Sequence, residues 1–270
     1  MLINGEPGTH ISAFDRGLQY GDGLFETIAV VDARPCLWER HYRRLESGCE
    51  RLGVPIPTAE TLLKEIQQEI GENDRGVIKI TITRGEGSRG YSHPQKPEPN
   101  RIVHLSPWPD YPQNILSDGV RVRICNTRLG TNPVLAGLKH LNRLEQVMAR
   151  SEWDDPDIAE GLMLDARGRV IEGTMSNIFM FIGGILHTPD LTGCGVEGVL
   201  KGLVIDVADK LGIQVNTGQI GLSEAFQADS LMLTNSLIGI WPVKSLEERE
   251  YDLTHLNRCL ISEVMNRAYV

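Results

Sequence analysis

Cysteine is scarce in this 270-residue chain, and none of it is paired by spacing. Cys36, Cys49, Cys125, Cys194 and Cys259 are odd in number, widely separated, and form no C-x-x-C. Neither a disulfide framework nor a zinc ribbon is suggested, and reduced thiols in a cytoplasm are expected. Positive charge is also short. With 27 Lys+Arg against 36 Asp+Glu the formal net charge is −9, so nucleic acid and anionic membranes are not expected partners, although a local basic pocket can still hold an anion. No apolar run approaches the roughly 20 residues needed to span a bilayer. The opening "MLINGEPGTHISAFDRG" has no basic stretch followed by an apolar one, so neither membrane insertion nor export is expected. G-x-S-x-G and H-E-x-x-H are missing and the seven histidines are scattered, which argues against a serine hydrolase and against a metal site.

What is present reads as a soluble globular protein, 23% charged and 41% hydrophobic. The length exceeds an average domain of about 100 to 200 residues, so one large or two smaller domains are expected. "LWERHYRRLESGCERLG" gathers Leu37, His41, Arg44, Leu45 and Cys49 near one helical face, and "TAETLLKEIQQEI" predicts a second helix capped by Thr58. "GVIKITITRG" alternates Ile78, Ile80 and Ile82 against Lys79, Thr81 and Thr83 and predicts a strand. The prolines of "PWPDYPQNILSDG" argue against a regular element there. This places a linker at 107–118 between a smaller α+β domain, 1–106, and a larger one, 119–270. In the larger part, "DARG" and "GG" punctuate short apolar runs and predict consecutive antiparallel hairpins. Helices are predicted over "VLKGLVIDVADKLG" and "LTHLNRCLISEVMNRA". No internal repeat is present, and two α+β domains sharing a cleft is the simplest arrangement.

Four segments carry candidate chemistry. "GLKHLNRLEQVMAR", residues 137 to 150, predicts an amphipathic helix with Lys139 in its first turn. There the helix dipole disfavours the ammonium, and a neutral lysine is a nucleophile and a base suited to carbonyl chemistry. Position alone favours an ordinary solvated lysine. Glu172 in "VIEGTMSNIFMF" ends an apolar run before a polar cluster, so its carboxylate either faces a cavity, where a protonated pyridine nitrogen would suit it, or sits in a solvated turn. Gly193, Gly195 and Gly198 of "GCGVEGVLKG" form G-x-G-x-x-G. A dinucleotide fingerprint needs a strand and a parallel crossover, which a meander of hairpins does not supply. Glycines opening a helix nevertheless suit a phosphate, or a plain loop-to-helix junction. "TRGEGSRGYS" sets Arg84, Arg89 and Tyr91 among glycines, either as a carboxylate clamp or as a solvated hairpin tip.

Taken in order, "DRGLQYGDGLFET", "HYRRLESG", the lysine of "GLKHLNRLEQV", "EGTMSNIF", "GVLKGL" and "TNSLIGIWPV" resemble the class IV aminotransferases over nearly the whole chain. These are pyridoxal-phosphate (PLP) enzymes of fold type IV. The resemblance implies a two-domain α+β fold with PLP at the domain interface. It makes Lys139 the Schiff-base lysine, Glu172 the partner of the pyridine nitrogen and Arg44 a phosphate ligand. Leu203, Val204, Asn235 and Ser236 would complete the phosphate site. Many relatives have threonine where Val204 stands, so only its backbone N–H carries over. Within the family, "RGEGSRGY" and "KHLNRLEQV" look most like the lyases that convert 4-amino-4-deoxychorismate to 4-aminobenzoate and pyruvate in folate biosynthesis. In that comparison Thr27 lies near the catalytic lysine, and Arg89 and Tyr91 face the substrate. Phe25, also on the substrate side, stands where D-amino-acid aminotransferases have tyrosine. A homodimer acting on a small molecule is implied. The alternatives are a branched-chain or D-amino-acid aminotransferase, and a noncatalytic PLP- or phosphate-binding module.

Overall fold

The computed structural model describes residues 1–112 and 114–269, which form two compact units. Met1–Pro109, Leu138–Asn142 and Tyr269 make the first; Asp110–Gly137 and Arg143–Ala268 make the second. The main division falls between Pro109 and Asp110. A single cut does not anticipate that Leu138–Asn142 belongs to the first unit.

In the first unit the order is β1 (Leu2–Ile3), β2 (Glu6–Pro7), α1 (Arg16–Tyr20), β3 (Gly23–Val31), β4 (Arg34–Pro35), α2 (Trp38–Leu52), α3 (Ala59–Ile70), β5 (Arg75–Thr83) and β6 (Asn100–Ser106). The strands build an antiparallel sheet ordered β2-β1-β6-β5-β3-β4. Strand periodicity of two sorts its residues by face. Leu24, Glu26 and Ile28 pair with Ile82, Ile80 and Ile78, while Phe25 and Thr27 pair with Thr81 and Lys79. The isoleucine face is dry: Ile28, Ile78, Ile80 and Ile82 are 0% exposed. On the helical side α2 packs against β3 and α3 against β6. Both helices form where predicted, and the Thr58 hydroxyl accepts from the Thr61 N–H at the start of α3.

The second unit runs α4 (Ile115–Asp118), β7 (Val120–Leu129), α5 (Leu144–Arg150), β8 (Ile158–Asp165), β9 (Arg169–Gly173), β10 (Asn177–Ile182), β11 (Ile185–Pro189), α6 (Val199–Lys210), β12 (Val215–Gly218), β13 (Ile220–Gly221), α7 (Leu222–Gln227), β14 (Ser230–Asn235), β15 (Gly239–Leu246), β16 (Arg249–Glu250) and α8 (Arg258–Ala268). Its sheet is ordered β12-β11-β10-β14-β15-β7-β8-β9-β13, with β16 on β15. The "DARG" and "GG" turns do join antiparallel pairs, β8 to β9 and β10 to β11. The two hairpins are not neighbours, however, and β7 pairs in parallel with both β8 and β15.

Three expectations need correcting. The helix over 137 to 150 forms only from Leu144, because residues before it pair with a strand instead. The apolar stripe that predicted it stays exposed, with Leu144 at 76%, Val147 at 56% and Met148 at 61%. The segment 107–118 contains the one-turn helix α4, which starts beyond the last of its three prolines. The glycine-rich segment does lie in a parallel crossover: β11 leads through α6 to β12, and β11 and β12 pair in parallel. The link from Pro189 to the helix cap at Gly198 is nevertheless longer than the tight turn of a dinucleotide site.

Among the described residues no helix is long and apolar enough to cross a membrane, and no cluster of three or more His, Cys, Asp or Glu could hold a metal ion. All five cysteines are free thiols. Gly161 of β8 marks a tight point: a Cβ there would meet the Cys125 sulfur and lie 2.8 Å from the Trp153 ring. Gly161→Ala is expected to cost about 1–3 kcal/mol by overpacking, read from the shift in urea midpoint.

Candidate active site

The "DRGLQYGDGLFET" stretch is a corner that delivers β3. Asp15, 0% exposed, caps α1 through the N–H groups of Gly17 and Leu18 and also accepts from Thr83 Oγ1 (2.6 Å) and Asn100 Nδ2 (2.7 Å). Gly21 closes the helix in the left-handed region, φ 64°, where a Cβ would strike the Asn142 side chain. Buried Arg16 donates to Asp22 (2.8 Å) and to the carbonyls of Gly90 (3.0 Å), Tyr91 (3.2 Å) and Ser92 (3.3 Å). Arg84 donates to the same Asp22 oxygen and to the carbonyls of Leu52 and Gly53 at the end of α2. Arg84 is therefore a buried structural cation rather than part of a clamp. Arg16 and Tyr20 hold the loop that carries Arg89 and Tyr91, with Tyr20 edge-on to Tyr91 at 5.5 Å. Arg89 is exposed and Tyr91 is 84% exposed.

Lys139 reaches this sheet by backbone pairing. Phe25 N–H donates to the Lys139 carbonyl (2.9 Å), and Leu141 N–H donates to that of Gly23 (3.0 Å). The lysine is extended and half-buried rather than in a helix, so the dipole argument for its reactivity does not hold. Its neighbours are instead the residues of the sheet face opposite α2 and α3. Lys139 Nζ sits 4.4 Å from the centre of the Phe25 ring, and Lys79 Nζ lies 5.2 Å from the same ring. Thr27 is in register with Lys79. The sequence-predicted Lys139, Phe25 and Thr27 thus share one polar face. Lys79 joins them, and its outward place in the alternation of "GVIKITITRG" was the available signal.

On the opposite face, Glu26 is 1% exposed and ligated by cations. Arg44 of α2 grips it with both prongs, Nε to Oε1 at 2.8 Å and an Nη to Oε2 at 2.5 Å. His41 Nδ1 lies 2.6 Å from Oε2; a carboxylate only accepts, so Nδ1 carries the proton. Burial pushes the Glu26 carboxyl up, but Arg44 and then His41 outweigh it and hold it at about 2. Burial also pushes the His41 imidazole down, against Glu26. Arg44 was expected to bind phosphate, and the structure adds that its guanidinium plane is set by Glu26.

In the second unit Glu172 is 4% exposed, so the solvated-turn alternative falls. Its Oε2 accepts from Val196 N–H (2.8 Å), and Asn177 Nδ2 donates to the Val196 carbonyl (2.9 Å). Gly195 has φ 87°, and a Cβ there would sit 3.2 Å from Glu172; one on Gly198 would strike Asn177. These two glycines are set by close approach to the Glu172–Asn177 loop. Burial pushes the Arg143 guanidinium down, while Glu172 and Glu145 act against this; Arg143 is a half-buried cation near Glu172.

Gly198 caps α6 with no side chain, leaving the first-turn N–H groups of Val199, Leu200 and Lys201 without intrahelical partners. Gly202 N–H already bonds Gly198, so the N–H groups of Leu203 and Val204 are committed one turn further on, to Val199 and Leu200. Leu203 and Val204, expected at the phosphate, instead bury their side chains at 5% and 0% exposure. Asn235 ends β14, donates to the Met175 carbonyl (3.0 Å) and accepts from Leu237 and Ile238 N–H; Ser236 follows in that turn.

The second unit thus offers an anion-ready helix start with a buried carboxylate beside it, and the first unit a half-buried lysine on a polar sheet face; each is a kind of group that a phosphorylated pyridine aldehyde needs. The comparisons agree with that class. Residues 23–246 match the family model "Amino-transferase class IV". The chain belongs to this family. It is 36% identical to the aminodeoxychorismate lyase of Vibrio harveyi, over 92% of each chain. It is 30% identical to a putative branched-chain-amino-acid aminotransferase of Methanocaldococcus jannaschii, over 90% of this chain and 85% of the other. Among solved structures, the 4-amino-4-deoxychorismate lyase of Pseudomonas aeruginosa superimposes with a TM-score of 0.94 at 45% identity, over 98% of each chain.

Because Glu26 titrates at about 2 in the folded chain against an ordinary 4.5, its stabilisation is complete above pH 4.5 and is lost as pH falls toward 2. Glu26→Gln, which strands half-buried Arg44 and buried His41, is expected to cost about 3–5 kcal/mol near neutrality. Urea titrations across pH should show that penalty shrinking below pH 4.5.

Proposed function

We propose that this chain is a PLP-dependent carbon–oxygen lyase that converts 4-amino-4-deoxychorismate to 4-aminobenzoate and pyruvate in folate biosynthesis. One observation carries the reading. Lys139 sits against Phe25, with Lys79 and Thr27 on the same face, in a chain 45% identical over almost its full length to a lyase of that name.

Pyridoxal 5'-phosphate is the cofactor, and it supplies an electron sink that makes the hydrogen on an amine-bearing carbon acidic. Lys139 would hold it, and its free amine would remove the C4 proton of the substrate. Glu172 holds the proton on the pyridine nitrogen. Arg44, the N–H groups at the start of α6, and the turn at Asn235 and Ser236 take the phosphate. With the C4 proton gone, the neighbouring C3–O bond breaks and its electron pair leaves on the enolpyruvyl oxygen. The ring becomes aromatic, and the released enol takes a proton to become pyruvate. Thr27 orients Lys139 or a water for that protonation, while Arg89, Tyr91 and Lys79 offer donors to substrate carboxylates.

The enzyme works as a homodimer in the cytoplasm on this reading. The exposed Leu144, Val147 and Met148, with Val134 at 74%, support a self-associating face, and the free thiols suit a reducing compartment. An aminotransferase would use the same cofactor groups, and the 30% identity to a putative branched-chain aminotransferase keeps that reading second.

Incubation with PLP and 4-amino-4-deoxychorismate, without a keto acid, should release 4-aminobenzoate and pyruvate in equal amounts. Product formation that requires an added keto acid would select the aminotransferase. Lys139→Ala should lower turnover by at least about 1000-fold, as loss of a covalent base demands.

A further inference from the structure

Glu160 of β8 lies outside every role assigned above. It is 1% exposed, and no cation is among its contacts in the described structure. Its carboxylate is instead surrounded by uncharged donors. Oε1 accepts from the N–H of Gly161 (2.9 Å), the N–H of Thr174 (3.1 Å) and the Thr174 hydroxyl (2.5 Å). Oε2 accepts from the N–H of Met175 (3.2 Å) and the Ser176 hydroxyl (2.8 Å). Three of these donors are backbone amides that can only donate, so the site is shaped for an acceptor-only group.

Four of the five donors belong to residues 174–176, the loop between Glu172 and Asn177. Gly173 N–H bonds the Ser176 carbonyl (2.6 Å) and closes that loop on itself. One residue before it, Glu172 grips Val196 N–H; one residue after it, Asn177 grips the Val196 carbonyl. The Met175 carbonyl takes the Asn235 amide. The start of α6, the β14 turn and the buried Glu172 are therefore all tied to one loop, and that loop is folded around Glu160.

We propose that Glu160 is a positioning residue for the cofactor: by gathering residues 173–176 it sets the direction of Glu172 and the spacing of Glu172 from the start of α6. This rests on the assignment of Glu172 to the pyridine nitrogen. An amide at 160 turns one acceptor oxygen into a donor facing donors, so the loop cannot close as before.

The test compares Glu160→Gln, the double variant Thr174→Val/Ser176→Ala, and Glu172→Gln. Each apoprotein is titrated with PLP for its Kd, and the visible band is recorded at saturation. Glu160→Gln should bind PLP roughly 10- to 100-fold more weakly, the size expected for lost charge-assisted hydrogen bonds. At saturation its band should stay displaced in the same direction as that of Glu172→Gln, whereas a merely loosened fold would regain the wild-type band. The double variant keeps the carboxylate and its three amides and should show the same changes at a few-fold. Wild-type affinity and band in Glu160→Gln, beside a changed Glu172→Gln, overturn the proposal and leave the Glu172 assignment standing. A wild-type band in Glu172→Gln removes that assignment and the proposal with it. Should Glu160→Gln fail to fold, the double variant decides, and wild-type behaviour there overturns the proposal.

Discussion

Phe25 N–H bonds the Lys139 carbonyl, and Leu141 N–H bonds that of Gly23. Through these two backbone bonds a five-residue segment distant in sequence becomes a short partner of β3. A residue paired to a strand has its side-chain direction set by the pleat, and here that direction brings the ammonium over Phe25, on the face with Thr27 and Lys79. The corner before β3 serves the same end. Asp15 is satisfied four times, Gly21 admits Asn142, and Asp22 is shared by two buried arginines, so the start of β3 has little freedom.

Two buried glutamates show two ways to keep a carboxylate dry. Glu26 is balanced by the forked Arg44 and by His41, and the cations hold its carboxyl at about 2. Glu160 has five uncharged donors, and there burial prevails and pushes the carboxyl up. The first arrangement orients the Arg44 guanidinium; the second folds a loop. Both follow from the same rule, that a charge removed from water persists only when its lone pairs are met.

Much of this was readable locally. The period of two in β5, the helical faces of α2 and α3, the Thr58 cap and the "DARG" and "GG" turns each report a short-range preference or the burial of one face. Glu172 and the glycines of "GCGVEGVLKG" could be singled out for the same reason, since a carboxylate beside an apolar strand and glycines at a helix start are local patterns.

The sequence by itself determined that β5, α2, α3 and the two hairpin turns form where they do, because periodicity and caps act over a few residues. Tertiary structure alone decided that residues 138–142 pair with β3 and do not extend α5, although their apolar spacing suits a helix; competition between the two is settled by the N–H and C=O groups that Gly23 and Phe25 present. It also decided that β12 returns in parallel beside β11, that the first-turn amides of α6 are those of Val199 to Lys201, and that Glu26 and Glu160 find their partners. Those outcomes depend on groups up to more than a hundred positions apart, and no local pattern of side chains records such a pairing.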